Sequence, residues 1–128
     1  MILTRLDRRG FTAASPEHVA QLLAFLGEWD EGESLLVHCR AGIGRSTATA
    51  LVAACFRNPH AAELDIALEL RRVAPHARPN ERLVALTDAA LDRRGRMSAA
   101  IAETGSELAW IDFPWGQPFE LPSRFPAK

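Results

Sequence analysis

Lysine is almost absent from this 128-residue chain, and cysteine is scarce. Lys128 is the only lysine, so few amines are present for Schiff-base chemistry. The two cysteines, Cys39 and Cys55, are too few for a disulfide framework and fit a reducing compartment. The formal net charge is −1 at pH 7. This near-neutral balance gives no electrostatic basis for binding nucleic acid or an anionic membrane surface.

Long apolar runs are also missing. No segment approaches the roughly 20 apolar residues that a membrane-spanning helix needs. The first ten residues carry Arg5, Asp7, Arg8 and Arg9 and do not resemble a signal peptide. The length fits one domain, and 48% hydrophobic with 24% charged residues is an ordinary globular composition. We therefore expect a soluble cytoplasmic protein.

Apolar spacing and helix breakers predict an α/β fold. Two short apolar stretches, 2–6 and 35–38, are typical of strands, and the second is expected to be buried. Helical spacing, caps and prolines predict helices over about 16–29, 46–56, 61–73, 80–91 and 97–103. The expected fold is a short, incomplete parallel sheet with a strand–loop–helix unit and a cluster of C-terminal helices.

The composition changes near Gly105, where tryptophan and phenylalanine residues alternate with prolines. Segments of this kind rarely hold a structure alone. We therefore predict two parts, an α/β domain over 1–104 and a Pro/aromatic C-terminal tail over 105–128 that packs on it. The alternative is that the tail serves association with another chain.

The stretch LLVHCRAGIGRST, residues 35–47, places Cys39 six residues before Arg45, with five residues between them, in a loop between a predicted strand and helix. Such a loop directs backbone N–H groups inward, and the helix N-terminus adds partial positive charge. Gly42 and Gly44 allow a tight, partly left-handed path. Arg45 adds a bidentate fork for two oxygens of a tetrahedral anion. The loop therefore predicts a phosphate site formed by Arg40, Ala41, Gly42, Ile43, Gly44 and Arg45.

A thiol at the base of this loop experiences the same positive field. We expect the pKa of Cys39 to lie below the free value of about 8.5, which makes it a thiolate nucleophile. Ser46 could donate a hydrogen bond to the sulfur and ease its departure. His38 points to the other face of the strand and is expected to support the loop rather than act as a base. Cys55 is expected to be a buried apolar residue.

The residues HCRAGIGRS resemble the HCxxGxxRS signature of the cysteine-dependent protein tyrosine phosphatase superfamily. The helix sequence STATALVAACF and the later PHARPN are similar to segments of its small, bacterial-type dual-specificity-like members. The resemblance covers roughly residues 5–95. It implies that Cys39 is the nucleophile, that Arg45 binds phosphate, and that Ser46 assists the second step. It also implies that the segment ending at Asn80 packs beside the phosphate loop.

Phosphate-ester cleavage also needs a general acid. In the dual-specificity-like members this aspartate lies about thirty residues before the cysteine, and Asp7 is the carboxylate that matches. The alternative is that Asp7 is a solvated charge beside Arg8 and Arg9. Strands precede the acid loop in this family, whereas the chain begins almost at that loop. We expect a truncated member, a mis-assigned start or a compact variant.

The sequence thus predicts a cysteine-dependent phosphatase that acts on a phosphorylated protein or a small phosphomonoester and needs no metal or organic cofactor. Phosphotyrosine and dual-specificity substrates both fit, and the oligomeric state stays open. One alternative is a phosphate-binding module without turnover. A rhodanese-like or thiol redox protein is a further alternative, because it shares the cysteine and arginine spacing.

Overall fold

The computed structural model describes residues 15–30, 33–37, 44–105 and 118–127. These residues contain five helices. The helices are α1 (Pro16–Glu28), α2 (Arg45–Arg57), α3 (Glu63–Val73), α4 (Glu81–Ala90) and α5 (Arg96–Thr104). The five predicted helices are therefore confirmed, with bounds that differ by a few residues. No helix in these described ranges is long and apolar enough to cross a membrane.

Polar residues at the predicted caps set two of the helix starts. The Ser15 side chain accepts a hydrogen bond from the backbone N–H of His18, and Pro16 occupies the first position of α1. The Asn80 side chain accepts from the backbone N–H of Leu83 at 2.9 Å and caps α4 in the same way. Both caps were predicted from the sequence, and both are confirmed.

Helix α2 lies at the centre of the molecule and packs against α1, α3 and α4. Small residues and two threonines let it be buried on most sides, as its composition predicts. Its fully buried members include Leu51, Val52 and Cys55. Helix α5 packs against α3 and α4.

The predicted parallel sheet is wrong for the part of the chain that the structure describes. That part contains five helices and no strand. Residues 34–37 lie outside any regular element, and Leu36 is 57% exposed instead of buried. The physical reason is that Leu35 packs against the helical core as part of a connection, so helices rather than a sheet bury the apolar surface. The other predicted strand, 2–6, falls outside the described residues.

Three aromatic or aliphatic residues of segment 118–127 pack against the helical core: Phe119, Leu121 and Phe125. The predicted division at residue 105 is not tested by these contacts and stays a prediction. The contacts of Ser123 with Asn58 and of Phe119 with His76 show that segment 118–127 covers part of the surface formed by α2 and the connection after α3.

A polar cluster centred on the buried Glu63 joins three of the helices. The Glu63 carboxylate accepts hydrogen bonds from Arg93 at 3.3 Å and from Arg96 at 2.9 Å. Arg93 also donates to the backbone carbonyl of Cys55 in α2 at 2.6 Å. The cluster therefore connects α2, the start of α3 and the start of α5, with Glu63 and Arg93 buried and Arg96 partly exposed.

Candidate functional site

The start of α2 holds three of the predicted site residues. Gly44 is the N-cap, Arg45 is the first helical residue, and Ser46 follows with 5% of its surface exposed. Arg45 is only partly buried, so its position at the end of a central helix leaves it accessible. The structure therefore places a guanidinium and a serine at the positive end of the most buried helix.

The first turn of α2 differs from that of the other helices. The first turns of α1, α3 and α4 contain carboxylates, among them Glu17, Glu63 and Glu81. At α5 the two carboxylate oxygens of Asp88 accept from the backbone N–H groups of Gly95 and Met97, both at 2.7 Å. These negative charges offset the positive end of each helix.

Helix α2 has no such compensation in its own first turn. Its N-cap is Gly44, no side chain caps it within the described residues, and its first residue is the cation Arg45. A cation at a helix N-terminus is unfavourable, since both carry positive charge. The arrangement is suited to an anion that binds the backbone N–H groups and the guanidinium together.

The backbone carbonyl of Gly44 fixes the position of this helix start. It accepts hydrogen bonds from the N–H of Ala48 at 3.1 Å, the hydroxyl of Thr47 at 3.1 Å and the N–H of Asn80 at 3.0 Å. The last of these joins the beginning of α2 to the beginning of α4. Asn80 therefore contacts the end of the predicted phosphate loop through its backbone, while its side chain caps α4.

Gly44 itself does not use the left-handed conformation that the sequence suggested. Its φ of −100° and ψ of −63° lie in the right-handed helical region. A Cβ at this position would lie 3.6 Å from the carbonyl oxygen of Arg78, which is an ordinary van der Waals contact. The feature that distinguishes Gly44 is therefore the close approach of the backbone of residues 78–80, and not a positive φ.

The remaining predicted site residues lie outside the described residues. They are the general-acid candidate, the nucleophile and its neighbours, and four residues of the predicted phosphate loop: Asp7, His38, Cys39, Arg40, Ala41, Gly42 and Ile43. Their assigned roles stay predictions. Among the described residues, no group of three or more His, Cys, Asp or Glu side chains is placed to hold a metal ion.

Two threonines were not recognised from the sequence as part of the helix start. Thr47 donates to the carbonyl of Gly44, and Thr49 donates to the carbonyl of Arg45 at 2.8 Å. Both side chains are completely buried. The available signal was the presence of two threonines early in the helix that follows the glycine-rich loop. A threonine hydroxyl in a helix commonly donates to the carbonyl of a residue three or four positions earlier.

The second cysteine lies in an environment unlike that expected for the first. Cys55 is fully buried in α2. Burial raises the pKa of its thiol to about 12, and the nearby charge of Arg93 offsets only part of this effect. Cys55 is therefore a buried apolar residue, as expected, and is unsuited to act as a nucleophile.

A family model described as protein-tyrosine phosphatase matches residues 9–84, which is more than half of the chain. The match contains Cys39, Arg45, Ser46 and Asn80 and begins two residues after Asp7. No curated protein and no solved structure matches the sequence.

Proposed function

Since the chain belongs to the protein-tyrosine phosphatase family, we propose that it hydrolyses phosphomonoesters through a phosphocysteine intermediate. The family implies phosphorylated substrates. The observation that best supports an anionic substrate at this position is the start of α2, where Arg45 occurs at a helix N-terminus that no side chain of the described residues caps and whose first turn contains no carboxylate. A phosphate group would offset the positive charge that this helix start concentrates.

The proposed reaction begins with the Cys39 thiolate attacking phosphorus in line with the ester oxygen. The sulfur–phosphorus bond forms as the bond from phosphorus to the leaving oxygen breaks. Arg45 and the loop N–H groups stabilise the equatorial oxygens in the transition state. Water then attacks the phosphocysteine, releases phosphate and regenerates the thiolate, with Ser46 donating a hydrogen bond to the departing sulfur.

Asp7 is the proposed general acid that protonates the leaving oxygen. Its contribution depends on the leaving group, because an alkoxide needs a proton far more than an activated aryl oxide does. Asp7→Asn should therefore reduce turnover of an alkyl phosphate strongly and turnover of an activated aryl phosphate much less. An unchanged rate on the alkyl phosphate would remove Asp7 from the mechanism.

The substrates we propose are phosphotyrosine or dual-specificity phosphoprotein substrates, by analogy with the small dual-specificity-like members. Hydrolysis of a phosphotyrosine peptide but not a phosphoserine peptide would restrict the activity to the first class. Comparable rates on both peptides would support dual specificity.

Turnover of a generic aryl phosphate by the purified chain tests the proposed function. We expect vanadate-sensitive hydrolysis that Cys39→Ser abolishes. Arg45→Lys should lower kcat/KM by about 100-fold or more, because a lysine cannot form the bidentate contact with two phosphate oxygens.

Cys55→Ala is the matched control, since it removes a thiol that is buried and protonated at neutral pH. It should leave the specific activity of the folded protein unchanged. Binding of phosphate or a phosphopeptide without turnover would contradict the enzyme and support a phosphate-binding module. Thiol-dependent reduction of an oxyanion, with no hydrolysis, would support a redox protein.

A further inference from the structure

The C-terminal segment 118–127 is attached to the helical body at two separate places. At one place, the Asn58 amide at the end of α2 donates to the carbonyl of Ser123 at 2.8 Å and accepts from the N–H of Phe125 at 2.9 Å. At the other, the ring of Phe119 packs on His76 with 5.8 Å between ring centroids and 59° between ring planes. The segment therefore connects the end of α2 with the connection between α3 and α4.

His76 is the main anchor of that connection. Residues 74–80 form no helix, and the other two buried side chains among them, Ala74 and Ala77, are small. His76 is only 3% exposed and thus contributes the largest buried side chain of the connection. The ring of Phe119 forms part of the surface against which it is buried.

The same connection contacts the predicted phosphate loop a few residues later. Asn80 donates its backbone N–H to the carbonyl of Gly44 at 3.0 Å, and the carbonyl of Arg78 lies beside the Gly44 Cα. Arg45 follows Gly44 directly. A continuous set of contacts therefore runs from the Phe119 ring through residues 76–80 to the residue that precedes the guanidinium.

We infer that Phe119 is a positioning residue for the phosphate site. Its ring holds residues 76–80 against Gly44 and thereby fixes where α2 begins and where Arg45 is presented. Closely packed interiors transmit small displacements, and a shift of about 1 Å in a positioning group can cost about 100-fold in rate. The effect on catalysis rests on the proposed function, whereas the effect on the Asn80–Gly44 hydrogen bond does not.

Phe125→Ala is the matched control for Phe119→Ala. Both residues are partly buried phenylalanines of the same segment that pack against the core, but Phe125 lies beside Asn58 at the far end of α2. Each substitution removes the same number of atoms. A general loss of stability should therefore appear in both variants, whereas displacement of residues 76–80 should appear only in the first.

Amide hydrogen exchange of Asn80 measures the proposed contact directly. The amide of Val52, in the buried middle of α2, reports global opening in the same sample. We expect Phe119→Ala to raise the ratio of the Asn80 exchange rate to the Val52 rate by about 10-fold, and Phe125→Ala to leave it within about 2-fold. Equal changes of this ratio in the two variants would overturn the inference.

The effect on catalysis is measured on the same variants with an aryl phosphate as substrate. Phe119→Ala should lower kcat by about 10-fold relative to Phe125→Ala, and Phe119→Tyr, which keeps the ring, should restore it. If Phe119→Ala does not fold, Phe119→Leu removes the ring with a smaller loss of volume and replaces it in both measurements. A wild-type chain without turnover would refute the proposed function, and the exchange ratio would still decide the inference about Phe119.

Discussion

Replacing Glu63 by glutamine should destabilise the protein far more than the same replacement at Glu69. Both residues lie in α3, and both accept hydrogen bonds from arginine. Only 7% of the side-chain surface is exposed at Glu63 and at its partner Arg93, whereas Arg72, the partner of Glu69, is 72% exposed. The two substitutions therefore compare a buried ion pair with a solvated one on the same helix.

The expected loss of stability follows from the interactions that remain after Glu63→Gln. The buried guanidinium of Arg93 would keep its bond to the carbonyl of Cys55 but lose its counter-charge. Removing one partner of a buried ion pair lowers the free energy of unfolding by about 3–5 kcal/mol. Because the glutamine carbonyl still accepts one hydrogen bond, we expect Glu63→Gln to lower it by about 2–3 kcal/mol. With a urea dependence of about 2 kcal/mol/M, the unfolding midpoint should fall by roughly 1 M. The midpoint for Glu69→Gln should change little.

The pH dependence gives a second test of the same pair. Burial alone would raise the pKa of Glu63, but hydrogen bonds from Arg96, from the backbone and from Arg93 hold it below its ordinary value. A lowered folded-state pKa stabilises the protein above the unfolded value of about 4.3, and this contribution is lost as the pH falls through the folded pKa. The difference between wild type and Glu63→Gln should therefore persist from neutral pH to about 4.3 and shrink in more acidic solution. Equal midpoints for the Glu63 and Glu69 variants, or a difference that does not shrink in acid, would refute this reasoning.

Three further predictions concern other described residues. Asn58→Asp should lower the free energy of unfolding by about 1–3 kcal/mol, because the buried amide loses its donated bonds to the carbonyls of Ala54 and Ser123. Thermal unfolding measures this loss, and an unchanged Tm would show that Asn58 does not hold segment 118–127. Asn80→Ala should cost about 1 kcal/mol through loss of the α4 cap and Asn80→Ser should recover most of it; equal denaturation midpoints for the two variants would contradict a capping role. In a Cys39→Ser background, the Cys55 thiol should resist alkylation at pH 8 until denaturant is added, since burial raises its pKa to about 12; rapid labelling of the folded protein would show that Cys55 is accessible.

Local signals in the sequence were sufficient for the helices. Ser15 with Pro16 and Asn80 after Pro79 marked two helix starts, and apolar spacing marked the faces that are buried. The predicted sheet was wrong for the described residues, because whether a short apolar run forms a strand depends on partners that are distant in sequence. The apolar run at 35–37 was short enough to fit a buried strand or a connection, and it is a connection in which Leu36 is exposed.

Polar contacts between residues distant in sequence also could not be predicted from the sequence. Glu63 and Arg93 are thirty residues apart, and each alone is typical of a solvated helix surface. The contact between Asn80 and Gly44 was expected only through the family resemblance, which did not specify that the backbone N–H makes it. In contrast, the roles predicted for Gly44, Arg45 and Ser46 came directly from the sequence, because their combination with Cys39 has a chemical rationale at that spacing, and these roles stay predictions.

Detection of a phosphoryl group on Cys39 tests the central claim most directly. The chain would be mixed with an aryl phosphate, quenched rapidly with alkaline denaturant, which preserves the sulfur–phosphorus bond, and digested, and the peptide that contains Cys39 would be examined by mass spectrometry. The account predicts the mass of one phosphoryl group on that peptide during turnover, and none on the peptide that contains Cys55. Turnover with Cys39 unmodified at every quench time, and unimpaired in Cys39→Ser, would contradict it.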